Sequence, residues 1–187
     1  MRIYDVIEKK AAHHELTKEE LQFFVEGLCS GKVPDYQAAA LIMAMFLNGM
    51  SDQETAELTA VMADSGEHID LSGIDGVKVD KHSTGGIGDK TTLIIGPIIA
   101  ACGGKMAKMS GRGLGCTGGT IDKLESIPGF QTSLTQEQFI HNVNAIGMAV
   151  TGQTANVAPA DKKIYALRDV TATVASIPLI ASSIMSK

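Results

Sequence analysis

Cysteine is scarce in this 187-residue chain, and the three present, Cys29, Cys102 and Cys116, lie far apart with no Cys-x-x-Cys pair. That spacing argues against a disulfide framework and a zinc site, and it fits a reducing, cytoplasmic setting. The opening residues, MRIYDVIEKK, lack the apolar core of a signal peptide. The longest apolar run, 38–47, is far shorter than the roughly 20 residues a membrane-spanning helix needs, so no membrane partner is expected. Positive charge is in deficit: 16 lysines and arginines face 21 aspartates and glutamates, for a formal net charge of −5. No general attraction to nucleic acid follows, and an anionic ligand would need a local positive site. There is no internal repeat, no low-complexity stretch, and neither a GxGxxG nor a P-loop pattern, which disfavours dinucleotide and ATP binding.

What is present divides into two patterns. Residues 1–66 read as an all-helical lobe. Ile3, Val6 and Ile7 follow helical spacing, and Thr17/Glu20 and Ser51/Glu54 have the spacing of capping boxes. Between them Pro34-Asp35 opens a helix that is apolar all round from Ala38 to Leu47. Such a helix needs cover on every side, from a bundle or from a partner subunit, with the subunit interface narrowly preferred.

From about 67 to 153 the pattern becomes strand–helix–strand. Strands are expected at 77–80, 105–109 and 148–150. Helices are expected at 91–102 and, after the Thr135/Gln138 box, up to about Ile146. That alternation implies right-handed crossovers and a parallel sheet, the start of an α/β domain. Residues 154–163 read as a polar loop containing Pro159, and 169–187 as a helical stretch kinked or broken at Pro178. The segment 154–187 is expected to return to the helical lobe.

Two glycine-rich loops follow the first two strands. The first, Lys81-His82-Ser83-Thr84-Gly85-Gly86-Ile87-Gly88-Asp89, precedes an expected helix. Glycines let the backbone approach a ligand, and a helix start offers free N–H groups and partial positive charge. Lys81 adds a full charge, and Ser83 and Thr92 add hydroxyl donors. The second, Ser110-Gly111-Arg112-Gly113-Leu114-Gly115-Cys116-Thr117-Gly118-Gly119-Thr120, carries five glycines in the nine positions from Gly111. One anionic ligand shared by two such loops explains them better than two linkers, because ligands of open parallel sheets gather beyond the carboxyl ends of the strands.

The segments KHSTGGIGD, SGRGLGCTGGTIDKLESIPGF and APADKKIYALRDVTATVASIPLIASSIMSK resemble the signatures of the thymidine/pyrimidine-nucleoside phosphorylase family, over the whole chain. The resemblance implies that Lys81, Ser83, Thr92, Ser110 and Thr120 bind phosphate. It also implies that His82, Arg168, Ser183 and Lys187 bind the pyrimidine base, with Tyr165 close by. The implied reaction is reversible phosphorolysis of a pyrimidine nucleoside (uridine, thymidine or deoxyuridine) to free base and pentose 1-phosphate. Lys81 and His82 are the implied catalytic pair, with no metal or organic cofactor. A homodimer formed through the helical lobe is also implied.

Departures are Cys116, where relatives have histidine, and Lys90, where some have threonine near the family's monovalent-cation site, which argues against potassium here. Family members are also more than twice as long, so the chain reads as a fragment with an incomplete sheet.

Without the resemblance the residues read more plainly. His82 alone is an ordinary loop histidine, Arg168 beside Asp169 a surface ion pair, and Tyr165 a core residue. His13, His14, His68 and His141 read as solvent-exposed. Two rival functions stand beside the phosphorylase. One is an anthranilate-type phosphoribosyltransferase, whose loop reads GTGGD rather than STGGIGD and which usually needs magnesium. The other is a non-catalytic dimerisation or phosphate-binding fragment.

Overall fold

Three hydroxyl-and-carboxyl or hydroxyl-and-amide pairs decide where helices begin. Thr17 with Glu20, Ser51 with Glu54 and Thr135 with Gln138 each form the reciprocal capping box, side chain to N3 amide and N3 side chain back to the cap amide. Each satisfies two of the four donors that a helix start leaves free. The computed structural model describes residues 1–84, 89–112, 118–154 and 156–187. Those residues form two units, Met1–His68 with Ala155–Lys187, and Ile69–Thr154.

The first unit opens with helices α1 (Ile3–Ala11), α2 (Lys18–Ser30), α3 (Asp35–Asn48) and α4 (Asp52–Ala63). Its core is built from Leu21, Phe24, Leu28, Leu41, Ile42, Met45, Leu58 and Met62, all essentially closed to solvent. The all-apolar character of α3 is only partly used. Leu41, Ile42 and Met45 are buried, while Tyr36 is 75% and Leu47 71% exposed. Beneath the surface the Glu54 carboxylate accepts from Lys10 Nζ at 2.7 and 2.9 Å, from the Leu16 amide at 2.8 Å and from the Ser51 amide at 2.9 Å. A buried charge is tolerable only when paired and hydrogen-bonded in this way.

The second unit runs β1 (Lys78–Val79), α5 (Thr91–Ala101), β2 (Lys105–Ser110), α6 (Thr120–Glu125), α7 (Gln136–Ile146) and β3 (Met148–Gly152). The strands lie in the order β1-β2-β3, all parallel. Here β1 is shorter than the expected 77–80, because it pairs only through Lys78↔Lys105 and Val79↔Met106. Helix α5 approaches the sheet closely: a Cβ on Gly96 would stand 2.7 Å from Met148 Cε and 3.0 Å from Met106 Sδ. Gly147 closes α7 in the left-handed conformation, φ 84°, which only glycine adopts without strain.

The chain then enters α8 (Pro159–Val170) and α9 (Ile177–Met185), which belong to the first unit. Pro159 begins a helix instead of sitting in a polar loop, and Pro178 lies in the first turn of α9, so the helical stretch is broken before it rather than kinked. Proline has no N–H to offer, and first-turn amides need no intrahelical partner, so both sit where their defect costs least. Among the described residues no helix is long and apolar enough to cross a membrane.

Candidate functional site

The parallel pairing of β1 and β2 sets the site. Val79 stands opposite Met106, and Lys81 lies two residues beyond that last paired position. The Lys108 side chain is closed to solvent, donates to the Lys81 carbonyl and reaches Asp80 Oδ1 at 3.4 Å. Burial pushes its ammonium below the usual lysine range, while Asp80 and Asp89 oppose that shift.

The second feature is Asp89, just before α5. Its Oδ1 accepts from Lys81 Nζ, from Thr91 Oγ1 at 3.0 Å and from the Thr92 amide at 3.1 Å. Its Oδ2 accepts from Thr92 Oγ1 and from Thr120 Oγ1 at 3.2 Å. Burial works against ionisation, but Lys81, the Thr92 and Thr91 hydroxyls and the Thr92 amide outweigh it. Together they hold the carboxyl well below the usual range. Thus three sequence-expected residues, Lys81, Thr92 and Thr120, meet on one carboxylate, and the ends of the two glycine loops are joined through it.

The second loop is fixed at its rim. Arg112 donates to Asp122 at 3.1 Å and to Glu125 at 2.7 and 2.9 Å, and the Asp122 carboxylate accepts from the Gly119 amide at 2.8 Å. Ser110 ends β2 and is buried, its carbonyl accepting from the Gln153 amide at 3.0 Å. The His82 ring is half-buried, with Nδ1 2.9 Å from the Ser83 carbonyl oxygen. Cys116 and the glycines at 85, 86, 88, 113 and 115 lie outside the described residues. Lys90 is exposed. Among the described residues no cluster of three His, Cys, Asp or Glu side chains is arranged to hold a metal.

The remaining expected residues, Tyr165, Arg168, Ser183 and Lys187, come together in the helical unit. Lys187 Nζ donates to Asp161 Oδ2 at 2.7 Å, to the Ser183 carbonyl at 2.9 Å and to Ser183 Oγ at 3.1 Å. The three ammonium hydrogens therefore all have acceptors. Arg168 is 1% exposed, so it is no surface partner of Asp169. It donates to the carbonyls of Leu179 at 3.0 Å, Val174 at 2.8 Å and Thr173 at 3.4 Å, and its guanidinium lies 5.9 Å from the Tyr165 ring centre. Burial lowers its pKa, with Tyr165 and Asp161 opposing.

Sequence reasoning missed Asp89, Lys108 and Asp161 as site residues. Asp161 had a readable signal, since it shares a helix face with Tyr165 and Arg168 by spacings of four and three. Asp89, three residues before Thr92 at a helix start, has the pattern of a capping acid.

Residues 75–187 match the family model described as "Glycosyl transferase family, a/b domain". Residues 4–66 match that described as "Glycosyl transferase family, helical bundle domain". The chain belongs to the glycosyl transferase family. Within that family it is 65% identical over its whole length to the pyrimidine-nucleoside phosphorylase of Geobacillus stearothermophilus. It is 64% identical to that of Bacillus subtilis (strain 168). It spans 43% of the length of each. Among solved structures it resembles the anthranilate phosphoribosyltransferase of Thermus thermophilus, with a TM-score of 0.70 at 19% identity. That match covers 97% of this chain and 54% of the other. At that identity the likeness concerns the fold.

Proposed function

We propose that this member of the glycosyl transferase family carries the phosphate-binding and base-binding residues of a pyrimidine-nucleoside phosphorylase. The observation that supports it best is the meeting of Lys81, Thr92 and Thr120, from both glycine loops, at the carboxyl ends of parallel strands. With Ser83 and Ser110 they form the phosphate subsite. Tyr165, Arg168, Ser183 and Lys187 in the helical unit, and His82 in the sheet unit, have the base-binding role. Phosphate attacks the anomeric carbon opposite the departing base. Positive charge grows on the sugar and negative charge on the base, and the protein must bind that distribution more tightly than the ground state.

Lys81 holds the nucleophile. Arg168 and Lys187 stabilise the charge on the base oxygens, and His82 does so too or donates a proton. Lys187 engages the base by exchanging one of its present acceptors. Nucleoside salvage in the cytoplasm is the setting, and the free Cys29 and Cys102 thiols are consistent with it. The exposed stripe Tyr36, Ala40 and Leu47 on α3 supports a homodimer through the helical unit.

The test is release of free uracil from uridine, with and without inorganic phosphate, at catalytic amounts of the chain. Phosphate-dependent uracil supports the reading. Phosphate binding without uracil reduces the chain to a binding module. The fold likeness to the phosphoribosyltransferase motivates one control, because a magnesium-dependent reaction on a pyrophosphate-bearing sugar would replace this proposal.

A further inference from the structure

We propose that Asp89 is the positioning residue of the phosphate subsite, the fixed acceptor that draws Lys81, Thr92 and Thr120 into one array and so sets where the Lys81 ammonium stands; this rests on reading that array as a phosphate site. The donors come from three separate places: the end of β1, the start of α5 and the start of α6. The Asp89 carboxylate touches them all, and both its oxygens are used.

Depth decides what this acceptor does. The Asp89 side chain is 2% exposed whereas that of Lys81 is 26% exposed. The carboxylate is therefore closed to solvent, while part of the lysine side chain that it holds is not. An acid in that position does not stand where an incoming oxyanion would sit. It orients the groups that meet the oxyanion.

Hydrogen counting agrees. Lys81 has three ammonium hydrogens and gives one to Asp89, leaving two for a ligand. The Thr92 and Thr120 hydroxyls are buried and give Asp89 their single hydrogens, so Lys81 is the member of the cluster that keeps hydrogens for a ligand. Preorganised donors cost no rearrangement when the charge arrives, and this is what gives such arrays their strength.

The bland alternative is that Asp89 only caps α5, since it accepts the Thr92 amide at 3.1 Å. Substitution separates the two roles, because asparagine caps a helix about as well as aspartate. Asparagine carries no charge for Lys81, and its amide nitrogen presents hydrogens toward donors.

The experiment is calorimetric titration of inorganic phosphate, at constant ionic strength, into the unmutated chain, Asp89→Asn and Thr91→Val. Thermal unfolding without phosphate is recorded for each. Thr91 touches Asp89 but is not a proposed phosphate ligand, so its loss loosens the array without removing a ligand. The expected result is binding by the folded chain at least roughly tenfold weaker for Asp89→Asn, with a lower unfolding temperature from the lost charge, and about threefold weaker for Thr91→Val at a nearly unchanged unfolding temperature.

Equal binding by Asp89→Asn overturns the proposal in favour of a cap. Tighter binding overturns it too, by making Asp89 a competitor of phosphate. Should Asp89→Asn fail to fold, Thr91→Val decides: unchanged affinity there overturns the proposal. No phosphate binding by the unmutated chain removes the subsite itself and the proposal with it.

Discussion

Each of the two units contains a carboxylate gathered on a lysine, and the pair in one unit differs from that in the other in every respect that separates a scaffold from a site. In the helical unit Glu54 and Lys10 are 2% and 4% exposed, and the other donors to Glu54 are backbone amides at helix starts and ends. Nothing in that cluster opens to solvent. In the sheet unit Asp89 is equally deep, but its lysine reaches the surface and its other donors include three hydroxyls beside glycine-rich loops. Backbone donors are spent in holding the chain, whereas a partly exposed lysine keeps hydrogens that can be turned toward a ligand. Burial of the acid alone does not mark a functional group; the chemistry and exposure of its partners do.

The largest expected break falls on the scaffold pair. Glu54→Gln leaves the Lys10 ammonium buried without its counter-charge, and it should lower stability by about 3–5 kcal/mol. Urea unfolding measures the loss, and phosphate affinity of the folded fraction should not change. Next comes Lys81→Met. It should weaken phosphate binding roughly 10²-fold, about 2.7 kcal/mol, and lower the urea midpoint by less than Glu54→Gln does, because Asp89 keeps its hydrogen bonds to Thr91, Thr92 and Thr120. A large fall in stability with intact binding would exchange the roles of the two pairs.

The smallest effect is that of pH. The folded-state carboxyl of Asp89 ionises below its unfolded-chain value of about 3.9. Its stabilising contribution is therefore complete above that value and is lost as pH falls through the folded value. The stability difference between the unmutated chain and Asp89→Asn should be constant from about pH 7 to 5 and shrink below about pH 4.

Local rules made much of this legible before any coordinates. A capping box needs two residues three apart, so α2, α4 and α7 could be placed from the sequence. The loops 81–89 and 110–120 stood out because glycine, lysine and hydroxyl residues cluster there. The short helix α6 was missed because six residues, Thr-Ile-Asp-Lys-Leu-Glu, give too few turns for a periodicity to show.

Distance in sequence hid the rest. A lysine at 108, inside a strand, suggests an exposed face until Asp80 and the Lys81 carbonyl arrive from the neighbouring strand. Asp161 means little until Lys187 folds back onto it. Arg168 beside Asp169 suggested an ion pair, but the guanidinium is turned inward to the Thr173 and Val174 carbonyls of the α8–α9 connection and to that of Leu179 in α9.

The central claim is that the ends of the two glycine loops form one oxyanion site, and amide chemical-shift mapping during a phosphate titration tests it most directly. Amides at 81–83, 89–92, 110–112 and 118–120 should shift together along one saturating curve, while those around Lys10 and Glu54 stay still. Independent curves for the two loops, or shifts confined to the helical unit, would contradict it.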